Sequence, residues 1–124
     1  MAVLGEAFLA IIGSPGLLWA CFFGVFIGTV VGVLPGIGPV ATMAVLLPLT
    51  FGLDPLAGII LLSGIYYGAM YGGSTTSILF RVPGETSSVM TAIDGYELAK
   101  QGKAGLALFL SAIGSFVAGT LGVL

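Results

Sequence analysis

Between Leu17 and Leu34 the chain reads LLWACFFGVFIGTVVGVL, a stretch of 18 residues with no charge and Thr29 as its one hydroxyl. As a helix rising 1.5 Å per residue it reaches about 27 Å, close to the thickness of a bilayer's hydrocarbon core. A helix apolar around its whole circumference must be enclosed by a large core or by lipid. The rest of the chain decides between the two, because 58% of its 124 residues are hydrophobic, only 6% are charged, and the mean hydropathy is +1.22. Soluble domains carry about a quarter charged residues. So few charges cannot cover a water-facing surface, whereas lipid requires only that backbone polar groups pair internally. The sequence predicts one all-α integral membrane domain over residues 1–124, multi-pass and in contact with the bilayer.

Several function classes fall away at once. The net charge of −2 comes from five acids and three bases with no basic patch, so no nucleic-acid partner is expected. Histidine is absent, which removes Ser-His and Cys-His catalysis and imidazole metal sites. Cys21 stands alone inside the first apolar run and reads as packing. Ser74 or Ser77 as an intramembrane nucleophile lacks a base, since Lys100 and Lys103 lie in a separate polar segment. The expectation is a protein that is not an enzyme and holds no cofactor. The opening MAVLGEAFLAIIG lacks a basic n-region and carries Glu6, so residues 1–16 read as an interfacial segment rather than a cleaved leader.

The chain then divides by its breaks. Ser14-Pro15-Gly16 supplies a start signal for the span over residues 17–34, with Trp19 as an interfacial anchor. Pro35-Gly36-Ile37-Gly38-Pro39 cannot continue a helix, and residues 35–55 read as a broken hairpin whose apolar arm is too short to span unaided. Residues 56–84 read as a second, broken span, interrupted at Gly72-Gly73-Ser74-Thr75-Thr76-Ser77. Residues 85–103 hold Glu85, Asp94, Glu97, Lys100 and Lys103 and read as an amphipathic helix on the membrane surface. The two lysines there incline it to the cytoplasmic side. Residues 104–124 form another span. It ends on its last apolar residue, which predicts a fragment of a longer protein, with a naturally short chain as the alternative.

Glycines recur every fourth residue at Gly24, Gly28 and Gly32 and again at Gly64, Gly68 and Gly72, a spacing that puts each set on one helix face and lets another helix approach. They are expected to pack helices. The two breaks invite a different reading, because irregular backbone at membrane depth persists only where it faces protein or water. Pro39 suits a first helical position and would leave the amides of Val40, Ala41 and Thr42 free; Ser74 or Thr75 would cap a short helix through Arg81. Two helix N-termini, each carrying about half a positive charge, favour an anion such as a carboxylate. The hydroxyls of Ser74, Thr75, Thr76 and Ser77 could donate to that carboxylate or accept a transported sodium ion, the alternative being hydrogen bonds between helices with no ligand. Arg81 admits two roles, a counter-charge to substrate or a cation snorkelling to the interface. The candidate site is therefore Pro35, Gly36, Gly38, Pro39, Gly72, Gly73, Ser74, Thr75, Thr76, Ser77 and Arg81.

Four ordered blocks, GVLPGIGP (Gly32 to Pro39), YGGSTTSILFRVPGE (Tyr71 to Glu85), DGYELAKQGKAG (Asp94 to Gly105) and AIGSFVAGTLG (Ala112 to Gly122), resemble the large membrane subunit of the tripartite tricarboxylate transporters, the TctA family. The resemblance implies the N-terminal part of a two-half secondary transporter of roughly a dozen spans. It also implies a bacterial inner-membrane permease subunit that imports tricarboxylates or related small organic carboxylates on a sodium or proton gradient. Its implied partners are a small membrane subunit and a periplasmic solute-binding protein. Pro35, Gly36, Gly38 and Pro39 match the first loop motif; Gly72 to Ser77 and Pro83, Gly84 and Glu85 match the second. The pattern departs at Arg81, where the family usually has Asn, and at Glu97-Leu98, where it has a Pro-Met-like pair. The competing reading is a small membrane scaffold or oligomeric helix bundle without a transport site.

Overall fold

A computed structural model describes Met1–Leu124 as six α-helices with two short 3₁₀ turns and no strand. The helices are α1 (Ala2–Ile12), α2 (Pro15–Gly32), α3 (Pro39–Leu46), α4 (Pro55–Phe80), α5 (Val89–Lys100) and α6 (Ala104–Val123). Three of them, α2, α4 and α6, are long and apolar enough to cross a membrane. Pro15, Pro39 and Pro55 each open a helix, where the missing N–H costs nothing because first-turn amides have no partner inside the helix. At α4 the start is reinforced by Asp54, whose carboxylate accepts the Leu56 amide at 3.3 Å.

The centre of the bundle is a seam between α2 and α4. A Cβ at Gly28 would stand 2.7 Å from Ile65 Cα and 2.8 Å from its carbonyl carbon; Gly24 faces Leu61 and Gly64, and Gly32 faces Ala69. From the other side Gly64 meets Cys21 and Val25, Gly68 meets Val25 and Thr29, and Gly72 meets Thr29 and Gly32. Residue numbers rise together along both helices, so α2 and α4 run parallel. Backbone lies on backbone along this face, as packing in lipid allows when side chains are absent. Ile65 is fully buried there.

Parallel neighbours need a return path, which α3 and the 3₁₀ turn Leu47–Thr50 supply. Thr50 lies against Gly58 and Val40 shares a cleft with Tyr66 and Met70, so the return runs antiparallel to α4. Its 12 helical residues cover about 20 Å, less than a full span.

The sequence reading of residues 56–84 as a broken span needs correction. Helix α4 continues without interruption through Gly72-Gly73-Ser74-Thr75-Thr76-Ser77 to Phe80, a length of about 39 Å. The hydroxyls satisfy themselves inside the helix: Ser74 Oγ donates to Met70 O at 3.2 Å, Thr75 Oγ1 to Tyr71 O at 3.0 Å, and Ser77 Oγ to Gly73 O at 2.8 Å. No cap and no free amide exist at Ser74. The helix stops at Arg81, in the left-handed region at φ 58° with its N–H on Ser77 O, just before Val82-Pro83.

Beyond Arg81 the chain turns back into the bundle. Gly84 packs on Gly73, seven residues or about 10 Å below the end of α4, and α5 climbs out again with Gly95 on Ile78. The re-entrant element predicted within 72–77 therefore lies at 81–88. Helix α5 buries Ala92 and Gly95 against its neighbours while Val89 and Ile93 stay exposed, so it is a packed return helix with an outward apolar stripe. Helix α6 descends beside α4, burying Ala107 and exposing Phe109, Phe116 and Leu121.

Candidate functional site

Both Pro-Gly turns reach the same place. The Pro35–Gly38 turn leaves the C-terminal end of α2, with Gly36 at φ +90°, a backbone angle open to glycine at no steric cost. The second turn, Pro83-Gly84-Glu85, folds back onto Gly73. Between them lies a cleft of about 720 Å³ walled by Gly36, Gly38, Pro39 and Val40 on one side and Pro83 to Ser87 with Val89 on the other. Tyr66 and Met70 of α4 form its floor.

Two helix starts line this space. At α3, Gly38 is an N-cap without a capping side chain, and the amides of Val40 and Ala41 have no acceptor upstream in the helix. The Thr42 amide, expected to be free, bonds Gly38 O at 3.0 Å, and the Thr42 hydroxyl donates to the same oxygen at 3.0 Å. The second start is the 3₁₀ turn Thr86–Ser88 leading into α5, held by a capping box between Glu85 and Ser88. Glu85 N–H donates to Ser88 Oγ at 3.3 Å, and that hydroxyl donates to Glu85 O at 2.9 Å. The amides of Thr86 and Ser87 face the same problem as those of Val40 and Ala41. The second helix start in this wall is at Thr86, whereas the one expected at Ser74 or Thr75 does not exist because α4 runs through those residues.

Glu85 is the one carboxylate in the cleft wall. It is half-buried beside the bare Gly73, and a Cβ there would be 3.4 Å from Glu85 Oε1. Burial pushes the Glu85 carboxyl above the ordinary glutamate range, with the Ser87 hydroxyl pulling the other way.

The remaining predicted residues lie elsewhere. Thr76 and Ser77 are buried in the packing around the end of α2: Thr76 Oγ1 donates to the Val33 carbonyl at 2.8 Å, and Ser77 Oγ also lies 3.5 Å from Val82 O. Thr76 thus satisfies an orphan carbonyl at the C-terminus of α2. Thr76→Val is expected to leave that oxygen unpaired and to lower stability by about 1–2 kcal/mol, read as a lower midpoint of thermal unfolding in detergent; an unchanged midpoint would remove the bond's significance. Ser74 and Thr75 are partly exposed on α4, outside the cleft lining. Gly72 and Gly73 are consumed by packing, one against α2 and the other against Gly84.

Arg81 is exposed and outside the cleft, its guanidinium carbon 5.8 Å from the centre of the Tyr96 ring. Lys100 Nζ stands 5.4 Å from the same ring centre and 2.8 Å from Glu97 Oε1. The cation terminates α4 where the helix dipole is negative and rests on an aromatic face. The Asn usual at this position in the resembling family suits the same left-handed angle.

Sequence reasoning did not single out Tyr66, Met70, Thr86 or Ser87. The signal for the last two was present, as a Pro-Gly followed by a hydroxyl run that opens a helix. The longer hydroxyl run at Ser74–Ser77, twelve residues earlier, carries the same signal more strongly.

Residues 18–124 match the model of the tripartite tricarboxylate transporter TctA family. An Agrobacterium vitis protein, described as an uncharacterized 52.8 kDa protein in the TAR-I ttuC' 3' region, is 61% identical over 108 residues. The matched stretch is 87% of this chain and 21% of that relative, so the chain spans about a fifth of the relative's length. No solved structure matches. With the family model covering nearly the whole chain, and with helices fit to cross a membrane several times, the chain belongs to the tripartite tricarboxylate transporter TctA family.

Proposed function

We propose that this chain forms part of the permease subunit of a secondary, binding-protein-dependent transporter in the bacterial inner membrane, and that it contributes to the path of tricarboxylates or related small carboxylates. The observation that carries the reading is the convergence of both Pro-Gly turns on one cleft with two helix starts in its wall. Helix N-termini present amides and partial positive charge to an anion, and broken helices near mid-membrane are where secondary transporters hold substrate. A small membrane subunit and a periplasmic binding protein would complete the system, with a proton or sodium gradient driving import.

The test is uptake of labelled citrate by the assembled transporter. Thr86→Val combined with Ser87→Ala, which removes two hydroxyls of the cleft wall that would donate to the anion beside the amides, is expected to cut uptake by about tenfold or more, the loss of one or two charge-assisted hydrogen bonds. Ser74→Ala is expected to leave it unchanged. Normal uptake by the Thr86/Ser87 variant at normal abundance would favour a scaffold role, in which the cleft carries no substrate.

A further inference from the structure

The cleft holds a contradiction that the proposed function does not resolve. It offers unpaired amides of two helix starts to an anion, yet Glu85, an anion itself when ionised, stands in the same wall. Two negative charges sharing a half-buried space repel strongly unless one is neutralised. No base is placed to do it. The Pro35–Gly38 turn and α3 bring no ionisable group, α4 brings Tyr66, and the Thr86–Ser88 turn brings the Ser87 hydroxyl. Arg81 is committed to Tyr96, Lys100 lies between Glu97 and that same ring, and Asp94 is on an exposed position of α5, outside the cleft.

Resting on the carboxylate-transport reading, we propose that Glu85 is the proton-carrying residue of this cleft, and that a carboxylate substrate binds there together with one proton on the Glu85 side chain. The balance is simple. Glu85 carboxylate takes one proton from water as the substrate anion settles on the amides of Val40, Thr86 and Ser87, and it returns that proton to water when the substrate leaves. The substrate is not chemically altered. Desolvation already favours the protonated form of Glu85, which lowers the free energy needed to load it. The carboxyl lies against α4 at Gly73, where a Cβ would stand in van der Waals range of Glu85 Oε1 at 3.4 Å.

The linkage has a defined sign. Above the pH at which Glu85 titrates, each further pH unit lowers substrate affinity by up to about tenfold, because a proton must be taken up with the ligand; below it the dependence vanishes. Glu85→Gln mimics the protonated state and keeps a side-chain oxygen able to serve the capping box. The experiment is calorimetric binding of citrate and succinate to the assembled transporter in detergent across pH. Net proton uptake is followed in parallel with an indicator dye in weak buffer. Wild type is expected to take up one more proton per bound carboxylate than Glu85→Gln, a difference that cancels the ligand's own titration. Corrected for the ligand's own ionisation, the variant's affinity is expected to stay flat at the wild-type low-pH level, and Glu85→Asp to regain the pH slope. A variant that keeps the wild-type slope and proton uptake would overturn the role of Glu85 while leaving the transport reading intact. Binding by wild type that requires sodium and takes up no extra proton would overturn the proton as the coupled ion. Failure of wild type to bind either carboxylate would overturn the transport reading, and this proposal with it.

Discussion

Gly28→Ala is expected to force α2 and α4 apart and to lower the stability of the bundle by more than about 3 kcal/mol, at or beyond the upper end of overpacking costs. The added methyl group would meet the Ile65 carbonyl oxygen, with Ile65 Cα at 2.7 Å. These are backbone atoms of a helix and cannot rotate away. The sign is informative because glycine is a poor helix former: the same change in open helix should stabilise by up to about 1 kcal/mol. Gly114 in α6 provides that control, since a Cβ added there would meet nothing within 4 Å. Thermal unfolding in detergent of Gly28→Ala and Gly114→Ala should therefore move in opposite directions. A Gly28→Ala midpoint at or above wild type would show that the seam is looser than the backbone contacts imply.

Gly84→Ala is expected to dislodge the second re-entrant turn and to weaken carboxylate binding by at least about a hundredfold, about 2.7 kcal/mol. A Cβ there would come 2.5 Å from Gly73 Cα, so the turn must lift off α4. Lifting it moves Glu85, Thr86 and Ser87 away from Val40 and opens the cleft on that side. Gly36→Ala makes a useful contrast within the same cleft. It meets open space but holds φ +90°, so it adds backbone strain of about 1–3 kcal/mol without a steric collision. Binding that survives Gly84→Ala would place the substrate away from the second turn.

The spans are legible in the sequence because apolar length is a direct consequence of bilayer thickness. Helices α2, α4 and α6 contain the predicted apolar runs, and Pro35–Gly38 lies between helices, with Pro39 opening α3. The sequence misleads at Gly72–Ser77 because glycine, serine and threonine disfavour helix in water, where their backbone and hydroxyls find competing partners. In a bundle at membrane depth the hydroxyls of Ser74, Thr75 and Ser77 return to the carbonyl four residues back, that of Thr76 crosses to Val33 O, and each glycine answers a different neighbour. The stronger stop is Val82-Pro83, where proline removes a donor and restricts the residue before it. The meeting of the two Pro-Gly turns is not legible at all. It depends on α2 and α4 running parallel in one register, a relation fixed by pairings such as Gly28 with Ile65 and invisible to local pattern. Glu85 stands in the sequence only as the last residue of a motif; its burial and its position against Gly73 emerge from the fold.

The parallel course of α2 and α4 also gives the bundle an electrical axis. Arg81 ends α4, and Lys100 and Lys103 flank the turn between α5 and α6, so all three bases of the chain gather at one pole, where Glu97 pairs with Lys100, and Asp54 lies at the other. Glu85, at the level of Gly73, lies about 10 Å from the end of α4 at the basic pole and about 27 Å from Pro55 at the opposite pole, measured along the helix. A proton reaching Glu85 from the Asp54 pole would cross most of the membrane's field, and one reaching it from the basic pole would cross little. At about 2.3 kcal/mol per charge for each 100 mV, the side from which that carboxyl is loaded decides how much of the membrane voltage can act on substrate binding.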